Sequence, residues 1–268
     1  MKRTTYIMAG MLLAGLVVIA GCLFYMSAHG TDVRNNSLNI TGEMKTVKLP
    51  DCKIVQVSLK QDKSVEGRWI AVDEGKFIVQ PADSLAGNIT YPDGLDKYMS
   101  VQNNGDTLNV VLNFSTDKLE EQFRNRQWFS VNTGQILLSV PSTVEDIIVK
   151  VNGLTTVFKD FSRDSLAFDI YNSAIVENCR FKSLNAKADD LQLQSGEVQD
   201  LYLNLDHVLR WSVKVDSFQI DTEHLSGSRE HHNQLQKGEC RQVLWTPLTD
   251  GASLTMKLNQ TTRLEMEK

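Results

Sequence analysis

Charge is missing from one long stretch of this chain: between Arg3 and Asp32 there is no Asp, Glu, Lys or Arg. Two cations, Lys2 and Arg3, followed by so long a neutral run point to export or membrane anchoring. Cysteine is nearly as scarce. The four in 268 residues are Cys22, Cys52, Cys179 and Cys240, with no C-x-x-C pair among them, which excludes a disulfide-dense scaffold and the usual closed zinc modules. For Cys52, Cys179 and Cys240 two states stay open, one disulfide with one free thiol or three buried, unpaired side chains. No G-x-S-x-G elbow, phosphate-binding loop or G-x-G-x-x-G follows a strand, so the commonest hydrolase and nucleotide readings fall away. An Arg-rich stripe with interleaved aromatics is also lacking. Lys2 and Arg3 are two of the 28 basic residues; beyond residue 31 the other 26 face 33 acidic ones, a net charge of −7. Such a surface repels phosphates, and nucleic acid is not an expected partner.

What is present begins with the neutral run itself. Tyr6 to Ala28 is 23 mostly apolar residues, about 34 Å as a helix and so enough for a hydrocarbon core of about 30 Å. The membrane is therefore an expected partner through residues 6–28, and Lys2 and Arg3 keep the N-terminus cytoplasmic, placing Asp32 onward on the other side. Ile19-Ala20-Gly21-Cys22 resembles the lipobox of bacterial lipoproteins, which makes Cys22 the candidate lipidation residue. Leu23-Phe24-Tyr25-Met26 continues the apolar run past it, as an uncleaved signal-anchor does and a lipoprotein tether does not. The expected division is a signal-anchor or lipoprotein signal over 1–31 and a tether over 32–43. A β-rich region with one short helix follows over 44–135, then a repeat region with C-terminal capping strands over 136–268.

Strict apolar–polar alternation marks the strands, because successive side chains of an extended chain point to opposite faces. It is found in Met44–Leu49, Ile54–Leu59, Trp69–Val72, Lys76–Val79 and Leu108–Phe114, punctuated by Asp73-Glu74-Gly75, Pro92-Asp93-Gly94 and Asn103-Asn104-Gly105. One helix is expected over Lys118–Arg126, capped by Asp117, with Leu119 and Phe123 on one face. After Ile136–Pro141 come five alternating runs, at Ile147–Val151, Leu166–Ile170, Leu184–Ala188, Leu201–Leu205 and Trp211–Val215. Their starts lie 19, 18, 17 and 10 residues apart. Partner strands fall between them at Ala174–Val176, Leu191–Gln194 and Phe218–Ile220. A repeat of this length with two short strands predicts stacked coils that bury one another's open faces.

The aliphatic run ending in Val140-Pro141, with the rungs and the turns Asn172-Ser173 and Gln194-Ser195-Gly196, resembles the GIN-type head domain of auto-transporter adhesin-like envelope β-solenoids over residues 136–228. The family's glycine-rich turns are thin here, with Gly153, Gly196 and Gly227 remaining. The resemblance implies a right-handed parallel β-helix-like fold without an established enzymatic activity, and it carries no functional residue across. The fold expected is thus mainly β, a right-handed parallel β-helix-like solenoid with additional N- and C-terminal strands behind one transmembrane helix. The alternative is an antiparallel β-sandwich, which the 10-residue gap favours.

Candidate chemistry is sparse. His207, His224, His231 and His232, with Cys240, would have to converge to hold zinc; adjacent residues of an extended chain point apart, and a solvated loop is the expected reading of His231-His232. Asp169, Asp189, Asp190, Asp206 and Asp216 could line one face as a carboxylate ladder, but alternating Asp and Lys on a strand usually serves solvation. Trp69, Trp128, Trp211 and Trp245 could stack on sugars, and their apolar neighbours point to the core for most of them. No catalytic, cofactor-binding or metal-binding residue is assigned, and no cofactor is expected. The expectation is a membrane-tethered, extracytoplasmic β-rich interaction or structural protein of the bacterial envelope, not an enzyme, meeting an envelope protein or glycan. The alternative is a protein that binds or cleaves carbohydrate with the Asp-bearing rungs. A sensor is disfavoured, as only about five residues precede the span.

Overall fold

The structure is a computed structural model that describes residues 2–29, 36–60, 64–73, 75–83 and 86–258. The chain divides into two units, Met1–Ser37 and Leu38–Lys268. The first is built on helix α1 (Lys2–His29). Within it Gly10–Ser27 has a mean hydropathy of 2.1 and no buried residue, so its apolar side chains have no protein core to satisfy them. The expected turn at Glu74 and the expected tether at 32–35 lie outside the described residues.

The rest of the described chain is mainly strand. β1 (Ser37–Asn39), β2 (Met44–Lys48), β3 (Ile54–Leu59), β4 (Trp69–Ala71), β5 (Lys76–Pro81) and β6 (Asn88–Pro92) lead into a 3-10 turn at Asp93–Lys97. β7 (Met99–Asn104) and β8 (Thr107–Leu112) follow as a hairpin, then the one-turn helix α2 (Glu121–Arg124), β9 (Trp128–Asn132), β10 (Gln135–Val140), β11 (Asp146–Lys150) and β12 (Thr155–Lys159). The last third holds β13 (Ser162–Glu177), β14 (Cys179–Leu193), β15 (Gly196–Asn204), β16 (Arg210–Val213), β17 (Phe218–Gly227), β18 (Glu230–Leu235), β19 (Cys240–Pro247) and β20 (Ser253–Leu258). α2 is shorter than the expected Lys118–Arg126 helix and starts after Glu120, not Asp117. Leu119 and Phe123 are nonetheless both buried, so packing, not a cap, fixes this turn.

The expected right-handed parallel β-helix-like solenoid is corrected by the sheet pattern. Fifteen strands form one mixed sheet in the order β19-β17-β15-β14-β13-β12-β5-β10-β6-β2, with β11, β3, β8, β7 and β16 branching from it. Its far end is antiparallel, β10 with β6 and β6 with β2, as is the β7–β8 hairpin. β13 and β14 are single strands of 16 and 15 residues, where the repeat predicted two short strands joined by a turn. The N-terminal half of β13 pairs with β11 and its C-terminal half with β12, so the sheet forks into two layers. Phe158 of β12 stacks on Phe168 of β13, ring centroids 4.3 Å apart, which brings the two layers face to face as in a sandwich. The antiparallel sandwich is not the whole answer either, because β13, β14, β15, β17 and β19 pair in parallel.

Two local features produce this. Between Ile170 and Ser173 the register against β14 shifts by one residue, a bulge that bends the long strand while the inward side chains stay in phase. Asn172 takes an inward slot there and donates to the Val151 carbonyl at 2.7 Å. The 10-residue gap before Trp211 also has a simple origin. β16 does not pair with β15; Leu191 faces Trp211 and Leu193 faces Val213, so this run continues the other arm of β14. The inward columns are apolar, Leu166, Leu184 and Leu201 in one and Phe168, Ala186, Leu203 and Leu225 in the next. The first column is interrupted by Glu223, fully buried between Leu201 on β15 and Val243 on β19.

Candidate binding surface

The residues singled out from the sequence separate into three groups. Cys22 sits on α1 in a helix that runs unbroken to His29, with its side chain exposed. All four cysteines are free, Cys52 and Cys179 buried and Cys240 half-buried. Burial pushes the Cys179 thiol up to about 12 and raises those of Cys52 and Cys240 as well, so these three are poor nucleophiles and metal ligands at neutral pH.

A second group meets in a cleft of about 600 Å³ between residues 205–212 and β18, where Asp190, Trp211, His231 and His232 all line the wall. Strand alternation splits the two histidines. His231 packs edge-on to Trp245 and bonds the Asp206 carboxylate at 3.0 Å, whereas His232 is exposed beside Glu230. Burial tends to raise the Asp206 pKa, but hydrogen bonds from Ser228 and His231 outweigh it and hold the carboxylate below its ordinary range. Arg210 lies 4.0 Å from Asp190 and Arg229 lies 3.6 Å from Asp206, so the charges of this cleft cancel internally. His224 is elsewhere, bonded to Asp200 at 2.8 Å and stacked on Tyr202. The Asp residues do not line up as a ladder: Asp169 is held by Lys150 at 2.5 Å and Lys187 at 3.1 Å, and Asp189 and Asp190 sit at the bend of β14 beside the bulge.

The third group was placed in the core from its neighbours and lies on the surface. Trp69 is 51% exposed and Trp128 40%. They are paired in register on β4 and β9 and stacked, 6.4 Å between centroids with planes 12° apart. Trp211 and Trp245 are the two that pack partly against the core. Strand phase carries the reason. Phe129 and Val131 point inward, so Trp128 points out; Ile70 is buried, so Trp69 points out. Tyr171, 52% exposed at the bulge of β13, was not singled out from the sequence, although the inward phase of Leu166, Phe168 and Ile170 turns it outward. Trp69 and Tyr171 line a groove of about 420 Å³ with Lys60, Arg68, Lys150 and Asn152. Arg68 is positioned by the 116–126 segment. Its guanidinium donates to Thr116 Oγ1 at 2.8 Å, to the Arg126 carbonyl at 3.2 Å and to the Arg124 carbonyl.

Two glutamates missed in the sequence complete the inventory. Glu223 is buried with neither oxygen in a hydrogen bond of ordinary geometry, close to Cys240 and to the buried Glu239. Burial, reinforced by the Glu239 charge, pushes its pKa up to about 8.

No family model and no curated protein matches the chain. Among solved structures it is similar to a candidate adhesin from Bacteroides fragilis, with 13% identity over 82% of this chain and 96% of that one and a TM-score of 0.44. A candidate adhesin from Parabacteroides distasonis gives 9% identity over 83% and 96%, TM-score 0.40. A candidate lipid-binding protein from the same species gives 11% over 83% and 96%, TM-score 0.39.

Proposed function

We propose that this chain is a membrane-tethered binding protein of the bacterial envelope, held by α1 and presenting its β-rich unit outside the cytoplasm. The observation that carries the reading is the wholly exposed apolar run Gly10–Ser27 attached to a β unit whose distinctive surface is a cluster of exposed aromatic side chains. A helix with no apolar partner in the protein finds one in a bilayer, and large exposed aromatics mark interaction sites. Catalysis is not part of the proposal: Asp169, Asp190 and Asp206, three of the carboxylates singled out from the sequence, are engaged with Lys, Arg, His and backbone N–H groups.

Protease accessibility in cells with a permeabilised outer barrier tests the topology. External protease is expected to digest the β unit while a cytoplasmic marker survives. Protection of the β unit equal to that of the marker would overturn the reading.

A further inference from the structure

The two exposed tryptophans stand at the end of the small sheet by which the chain enters the β unit, and we infer that Trp69 and Trp128 lie in the headgroup layer of the bilayer that α1 spans; this rests on the proposed anchoring by α1. The small sheet has the order β1-β9-β4. β4 pairs with β9 in parallel, Trp69 opposite Trp128. β1 runs the same way, because the Ile40 N–H just past its end donates to the carbonyl of Asn132, the last residue of β9. The starts of all three strands therefore lie at one end, and two of those first residues are Trp69 and Trp128. Leu38, Ile70 and Phe129 fill the buried face, while Ser130 and Asn132 follow Trp128 in the outward phase of β9. The stacked indoles are thus large apolar groups beside polar neighbours, 51% and 40% exposed.

Reach selects the bilayer as the partner. α1 ends at His29 and the β unit begins at Leu38, nine residues later, and no conformation of that link exceeds about 32 Å at up to about 3.6 Å per residue. A surface held on so short a link is present at about millimolar effective concentration. Weak intrinsic affinity then suffices, and a soluble ligand of the same face would have to displace the lipid. Indole suits the task, since its ring is apolar and its N–H polar, the combination that concentrates tryptophan at the headgroup level of membrane proteins. A glycan or a protein could be met by any exposed face of the unit, whereas contact with the anchor's own membrane is favoured at the end where the chain comes in. The contact calls on no net charge, so a zwitterionic lipid is the probe.

The experiment reconstitutes the full chain in phosphatidylcholine vesicles, either plain or brominated on the acyl chains close to the headgroup, and reads tryptophan emission. α1 contains no tryptophan and the β unit holds all four, Trp69, Trp128, Trp211 and Trp245, so the emission reports on the β unit alone. Brominated lipid is expected to lower the emission of the parent chain by about a third or more, because two of the four lie on the docked face. Trp211→Phe combined with Trp245→Phe should preserve that fractional loss, and Trp69→Phe combined with Trp128→Phe should abolish it. The second pair replaces surface groups with another strand-favouring aromatic, so folding is not at stake. Flotation of the same vesicles separates the two readings. A chain that does not float with lipid overturns the anchoring, and this inference with it. A chain that floats but is not quenched by brominated lipid, or whose quenching survives Trp69→Phe with Trp128→Phe, overturns this inference alone and leaves the exposed pair to a soluble glycan or a protein.

Discussion

Two residues show how narrow the tolerances of the stacked strands are. Gly196 has φ +131°, and a Cβ there would lie 1.9 Å from the Cys179 carbonyl oxygen of the strand beneath, a contact with rigid backbone that cannot give way. Gly196→Ala should lose about 2–4 kcal/mol; a urea midpoint within error of the parent chain would contradict this. Glu223 makes a pH prediction. Its folded pKa of about 8 lies above the ordinary glutamate value of 4.5, so between those values the folded state holds a proton that the unfolded state has released. Stability contributed by the neutral, buried carboxyl is fully present below about pH 4.5 and is lost as pH rises through about 8, with a slope of up to about 1.4 kcal/mol per pH unit. Urea melts from pH 5 to 9 should show that decline, and Glu223→Gln should flatten it. A parent chain with no decline over this range would refute the assignment. Neither residue announced its role beforehand. Gly196 was visible as a turn glycine, but that it lies directly over Cys179 is a matter of pairing, and Glu223 looked like any charged residue of an alternating strand.

At the scale of elements, alternation located most strands. Ile54–Leu59 coincides with β3, and the run at Ile136 matches β10 apart from its ends, because period two records which face is buried whatever the partner is. Partners were another matter. Leu166–Ile170 and Ala174–Val176 read as separate strands, since the polar Tyr171-Asn172-Ser173 interrupts them, yet β13 runs through all three residues by bulging. The core consequence is testable at Phe168, which is 2% exposed and joins the two layers by stacking on Phe158. Phe168→Ala should cost about 3–5 kcal/mol, as an aromatic deletion in a packed core does, whereas Tyr171→Ala, three residues on and exposed, should leave the melt within about 0.5 kcal/mol of the parent. Equal losses at the two positions would mean that β13 does not bend as described. The surface aromatics follow the same logic: counting strand phase from Phe129 and Val131 turns Trp128 outward, while nearby apolar residues alone suggest the core.

For the whole molecule, Cys22 is where tether and function meet. The apolar run continues past it through Met26 and α1 runs on to His29, which favours an uncleaved anchor. Intact mass of chain extracted from native membranes should then begin near Met1, both in the parent and in Cys22→Ala. A chain beginning at Cys22 with added acyl mass, lost in the variant, would replace the helical anchor with a lipid one and leave the β unit facing the same side.

Sequence by itself determined what depends on local chemistry. An uncharged run of 23 residues can only be satisfied by lipid or by a large core, and two-residue alternation commits the remainder to half-buried strands. Tertiary structure decided everything that depends on which strand lies beside which. It set the mixed, forked sheet in place of a solenoid, assigned the Trp211 run to Leu191, placed Glu223 inside an apolar column, and assembled Trp69, Tyr171 and three cations into one groove. Those residues are separated by up to about a hundred positions along the chain. Periodicity encodes the face of a strand and is silent about its neighbour, so their meeting was fixed only by long-range pairing.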